Sequence, residues 1–152
     1  MPYYYNKKQN VTKNKVHKKK RDLVKKLDRI FSLYIRLRDA MPNGYTKCIS
    51  CGKIKFFKDM DCGHFFSRRH MATRFDEDNA HSECAYCNRF RSDHLVDYQI
   101  NLIRKIGQNR YEKLKIKANT SCHFLDCELE GMISYYIMKI KEISTQKDIK
   151  VK

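Results

Sequence analysis

The chain has 152 residues, with 33 Lys and Arg against 17 Asp and Glu and a formal net charge of +16. That length suits one domain with extended ends, and 41% hydrophobic residues suffice for only a modest core. No apolar run approaches the roughly 20 residues needed to span a bilayer, and the opening MPYYYNKKQN lacks the apolar stretch of a secretory signal, so membrane and secreted classes are set aside in favour of a cytoplasmic protein.

Positive charge spread along a whole chain implies a polyanionic partner, most simply nucleic acid. Residues 1–20 are polar and basic without a hydrophobic period, so they read as a flexible arm able to contact phosphate. Tyr3, Tyr4 and Tyr5 in that arm need no role in stacking. From Arg21 to Asp39, Leu23, Leu27, Ile30, Phe31, Tyr34 and Leu37 recur at helical spacing, which predicts a scaffold helix. Pro42, Asn43 and Gly44 end it.

Next come two Cys-x-x-Cys pairs, Cys48/Cys51 and Cys84/Cys87. A two-residue gap lets both thiolates of a pair reach one tetrahedral ion, so together they predict a four-cysteine structural zinc site. Tyr45 to Phe57 form the first knuckle, with Gly52 in the tight turn behind Cys51. The odd cysteine count and the paired spacings favour reduced thiolates over disulfides, leaving Cys62, Cys122 and Cys127 unassigned. Beyond Cys87 one helix is expected to run to about Ile106, with Leu95, Tyr98, Leu102 and Ile106 on its core face and Gly107 as its stop. A short piece follows at Tyr111 to Ile116. A last helix spans Asp126 to Ile143 and covers the core with Leu129, Met132, Ile133, Tyr136, Ile137 and Ile140. The organisation is one domain over 21–146, its zinc and catalytic core at 45–107, and a basic tail at 147–152.

Asn79 lies five residues before Cys84, Asn88 directly follows Cys87, and Arg91 is three further on. With His64 in the insert, this resembles the HNH nuclease pattern. The wording MDCGHFFSRRHMATRFDEDN followed by CAYCNRF is similar to the NinG (Rap) recombination nucleases of lambda-type phages, a likeness that runs from about Lys26 into the last helix. The resemblance implies an α+β fold, a zinc-stabilised ββα-metal (HNH) core with flanking N- and C-terminal helices. It also implies a phage or prophage endonuclease that cuts branched DNA such as Holliday junctions and D-loops, for which a two-fold dimer would suit paired cuts.

The family positions carry over to this chain as follows. His64 is the general base, since a neutral imidazole takes a proton from water near pH 7. Asn79 orients its ring through the side-chain amide, and Asn88 offers an amide oxygen to Mg²⁺ or Mn²⁺. Many HNH enzymes have an Asp directly before the base, whereas here Gly63 stands there. Asp61 is therefore the first candidate for the metal's carboxylate, with Asp76, His70 and His81 as others. Arg68, Arg69, Arg74 and Arg91 suit phosphate contacts, and His70 a leaving-group acid or phosphate donor. Two other readings stay open: a zinc module that binds DNA through charge alone, and a nicking or homing-type HNH endonuclease with duplex sequence preference.

Overall fold

The structure, a computed structural model, describes residues 7–151, with side chains at Val16 and from residue 18 onward. Helix α1 spans Lys7–Asp39, strands β1 and β2 are Tyr45–Lys47 and Ile54–Phe56, and β3 is Met60–His64. A single helical turn α2, Met71–Arg74, precedes β4 at Ala80–Cys84, and four helices follow: α3 Ala85–Phe90, α4 His94–Ile106, α5 Gln108–Ala118 and α6 Asp126–Gln146. The architecture is mixed α+β, mostly helical, with two small antiparallel sheets, β1–β2 and β3–β4.

Helical spacing in α1 turns Leu27, Phe31, Tyr34 and Ile35 to one side, where they pack on Leu129, Ile133 and Tyr136 of α6 and on Phe75 and Ala80 beside the second hairpin. Phe31 meets Tyr136 and Phe75 edge-on, at ring separations of 5.1 and 5.8 Å. The hairpin is therefore braced from behind by two long helices. On its other side Tyr98, Leu102, Tyr111 and Leu114 of α4 and α5 form a second cluster with Phe65 and Phe66, which follow β3. Tyr98 also donates its hydroxyl to the Gly63 carbonyl at 2.9 Å. Both clusters press on the end of β3, which is where His64 sits.

Three expectations change. The basic stretch from Lys7 to Lys20 belongs to α1 rather than to a separate arm, as suits a lysine-rich segment of good helix formers joined to a docked helix. Tyr3, Tyr4 and Tyr5 lie outside the described residues. The tail at 147–152 is built into the fold through its described part. Lys147 Nζ donates to the carbonyls of Leu37, Arg38 and Ala40 at 2.8, 3.0 and 2.5 Å, capping the end of α1. Ile149 is buried beside it against Leu37, Ala40 and Phe57.

The third change concerns the helix expected from Cys87 to Ile106, which is broken into α3 and α4. Arg91 turns onto Asp93 and Asp97, at 2.8 and 2.7 Å, and Ser92 and Asp93 favour a helix boundary over an interior. The break rotates α4, so Tyr98 and Leu102 remain core residues while Leu95 is exposed.

Candidate active site

The four cysteines converge. Cys48 and Cys51 come from the turn between β1 and β2, Cys84 ends β4, and Cys87 lies in α3. Their sulfurs all fall within 4.8 Å of one another, the only such cluster of possible ligands among the described residues. Tetrahedral ligands at a Zn–S distance of about 2.3 Å lie about 3.8 Å apart, and Cys51 and Cys84 Sγ are 3.8 Å apart. The donor set thus fits a zinc ion. Gly52 takes a φ of 74° in the turn, a conformation that disfavours a side chain, and the Cys84 amide points at Cys48 Sγ at 3.3 Å. Burial raises the Cys48 and Cys87 thiols above their usual range, so loading a metal must displace protons. The cluster ties the first knuckle to the end of β4 and to α3, which places Asn88 one residue past a ligand.

Asn88 borders a cleft of about 580 Å³ that also receives Asp61, His64, Arg68, Arg89 and His94. Strand alternation predicts that Asp61 and His64 point to opposite faces. They nonetheless both line this cleft. The place before His64 has no room for an acid. A Cβ on Gly63 would come within 2.3 Å of Glu83 Oε2, and Glu83 stands two residues along β4 from His81, the register partner of Gly63.

His64 is held by a backbone carbonyl. Its Nε2 lies 2.9 Å from the Arg74 oxygen, which can only accept, so Nε2 carries the proton and Nδ1 keeps the lone pair. Burial lowers the pKa of the ring below its ordinary value, opposed by the Arg74 and Cys62 carbonyls, and a neutral imidazole at pH 7 follows. Asn79 makes no hydrogen bond to the imidazole, contrary to the sequence reading. Fully buried, it accepts from the Phe66 amide at 2.7 Å and donates to the carbonyls of Phe66 and Thr73, both at 2.9 Å. It therefore clamps the loop that runs from His64 to α2, and so acts on the base through the backbone.

Asp61 accepts from Asn88 Nδ2 at 2.9 Å and from Arg89 at 2.7 and 2.6 Å. Partial burial would raise this carboxyl, but the Arg89 and Asn88 hydrogen bonds prevail and hold it below the usual range. A carboxylate beside an amide is a hard oxygen donor set of the kind Mg²⁺ or Mn²⁺ takes. Arg89, with its exposed side chain, neutralises Asp61 in this conformation. It was missed in the sequence, although its place directly after Asn88 was a signal.

The other predicted residues divide. Arg68 reaches the cleft with an exposed side chain. Arg74 is committed to Asp28 at 2.9 and 2.5 Å and braces the Arg68 carbonyl at 2.8 Å, and Arg91 is committed to Asp93 and Asp97. Arg69 and His70 line a separate cavity with Lys20 and His123, where His70 Nδ1 donates to the Ala118 carbonyl at 2.9 Å. Of the alternative metal ligands, Asp76 pairs with Lys117 at 2.5 Å. His81 is buried between Arg38, Lys105 and Asp39, with Nε2 turned to the Asp78 carbonyl. Neither lines the cleft. Burial pushes the Cys62 thiol up to about 12, so it stays protonated.

Residues 4–146 match the family model described as Bacteriophage Lambda NinG protein. The protein ninG of Escherichia phage 933W is 29% identical over 126 residues, covering 82% of this chain and 59% of that protein. That of Escherichia phage lambda is also 29% identical over 126 residues, covering 82% and 58%. That of Salmonella phage P22 is 36% identical over 86 residues, covering 55% and 39%. The chain thus spans less than two thirds of the length of these curated relatives. No solved structure matches it. Among the described residues no helix is long and apolar enough to cross a membrane.

Proposed function

The chain belongs to the NinG family of bacteriophage proteins, and from that premise we propose that it is a metal-dependent endodeoxyribonuclease of the HNH, or ββα-metal, type that cuts branched DNA such as Holliday junctions and D-loops. The observation that carries the reading is the cleft itself, where Asp61, His64 and Asn88 meet two exposed arginines. What separates His64 from His70 and His81, whose rings also face backbone carbonyls, is that it borders this cleft together with Asp61 and Asn88, an arrangement that binding through charge alone does not need.

His64 Nδ1 takes the proton of the attacking water, while the Arg74 carbonyl keeps Nε2 protonated and the ring in place. Asn79 fixes the loop between the two. Asp61 and Asn88 would hold a divalent ion, and that ion would supply Lewis acidity to the phosphodiester. Arg68 and Arg89 border the cleft with exposed side chains suited to phosphate oxygens, and Arg89 would have to leave Asp61 to reach them. Zn²⁺ on the four cysteines would serve the structure, holding α3 against β4.

The test compares cleavage of a four-way junction with a linear duplex of the same sequence, in Mg²⁺ and in Mn²⁺, for the wild type and His64→Ala. Loss of a general base costs on the order of 10²–10⁴ in rate, and zinc content and junction affinity should stay near wild type. Equal cleavage by His64→Ala would remove the assignment, and equal cleavage of both substrates would remove the branched-DNA specificity.

A further inference from the structure

Glu83 is fully buried in the middle of the molecule. Its Oε1 accepts from Ser50 Oγ at 2.5 Å and lies 2.7 Å from His94 Nδ1, and its Oε2 has no partner among the described residues. Since the carboxylate accepts, Nδ1 is the donor, and Nε2 is the nitrogen left to take a metal ion. No described residue engages Nε2, and His94 borders the cleft with Asp61 and Asn88. Asp61 and Glu83 are register partners across the hairpin and so share one face, which puts the His94 anchor beside the Asp61 carboxylate. The helix break after Phe90 makes this arrangement possible, because it starts α4 at His94.

A buried carboxyl on one ring nitrogen, with the other nitrogen unengaged in a residue that borders a cleft holding oxygen donors, matches the way proteins orient a ligating histidine. We propose that His94 is a ligand of the divalent cation held by Asp61 and Asn88, with Glu83 as the positioning residue that fixes its ring. The proposal rests on the cleavage reading above for the cation itself. One imidazole added to hard oxygens shifts preference from Mg²⁺ toward a first-row transition ion, of which Mn²⁺ keeps the octahedral oxygen preference of Mg²⁺. A purely structural Glu83–His94 clamp between the hairpin and α4 would need only the Nδ1 proton.

The experiment uses the zinc-loaded full chain without DNA and follows Mn²⁺ by titration and by pulsed electron paramagnetic resonance, which detects a directly coordinated ¹⁴N. His94→Asn is the main variant, since its amide can keep the donor to Glu83 while Nε2 is lost; Glu83→Gln, Asp61→Asn and His64→Asn accompany it. The wild type should show ¹⁴N coupling that persists in His64→Asn and vanishes in His94→Asn. Mn²⁺ affinity should fall in Glu83→Gln by about 10–100-fold, the usual effect of losing an outer partner, and in His94→Asn by at least as much. Unchanged zinc content and circular dichroism would show that these losses are not unfolding. Wild-type Mn²⁺ affinity in His94→Asn, with binding lost in Asp61→Asn, would overturn the ligand assignment and leave the cleavage reading standing. Nitrogen coupling that disappears only in His64→Asn would overturn it as well. No Mn²⁺ binding by the wild type, together with no cleavage in any divalent metal, would remove both.

Discussion

Asn79→Ala is the substitution whose outcome the structure changes most. If the amide held the imidazole directly, its loss would misorient a base and leave stability almost alone. Instead the side chain makes three hydrogen bonds to backbone groups of the loop after His64 while wholly buried. At about 0.5–1.5 kcal/mol net for each bond, with the higher figures where a buried partner is stranded, truncation should cost about 2–4 kcal/mol. Against a typical total of roughly 5–15 kcal/mol that is a large share. The measurement is urea unfolding of zinc-saturated protein, followed by circular dichroism, beside single-turnover cleavage under conditions where the variant is still folded. Cleavage should fall, with junction affinity kept, because the Arg74 carbonyl that holds His64 lies at the far end of the clamped loop. Asn79→Asp should be no better than alanine, since it keeps the acceptor for the Phe66 amide but sets an oxygen against the Phe66 and Thr73 carbonyls. A midpoint within error of wild type, or a loss of activity without any loss of stability, would refute the clamp.

Elemental analysis should find about one zinc per chain. Cys84→Ser should lower both zinc content and helical signal, because the metal joins the β1–β2 turn to β4 and α3; a fully folded metal-free protein would contradict this. The rate of junction cleavage should rise with pH on an acid limb whose midpoint lies below the ordinary imidazole value of about 6.5, since burial lowers the His64 pKa and only the neutral ring can act as base. The same shift should cost stability as pH falls below that value, where the unfolded chain takes up a proton before the folded one does; a cleavage midpoint above 7 would contradict both statements. Lys147→Met, which keeps the stem and removes the ammonium from three carbonyls at the end of α1, should destabilise by about 1–2 kcal/mol in thermal unfolding, as loss of a cap does, and an unchanged melting temperature would show that the cap is dispensable.

What could be read from the sequence were constraints met within a few residues. Two thiolates separated by two residues can reach one ion, so the spacing of Cys48, Cys51, Cys84 and Cys87 announced their cluster. Hydrophobic residues at helical spacing likewise announced α1 and α6, because a helix returns the same face to its neighbour every turn. Asn88 was legible through its place beside Cys87. Partner choice was not legible, because it depends on which side chains the fold brings together from far along the chain. Arg74 looked like a phosphate contact and is committed to Asp28, 46 residues earlier. Asn79 looked like a partner of the imidazole and serves the backbone that carries it. Gly63 departed from the expected acid with no local reason, and the reason is Glu83, on the opposite strand. His94 drew no notice because a histidine has no motif of its own. Only the break before α4 and a buried carboxylate beside it bring its ring to the border of the cleft. Spacing along the chain records what a backbone can bring together locally, whereas the identity of a charge's partner is settled by packing, which burial makes costly to get wrong.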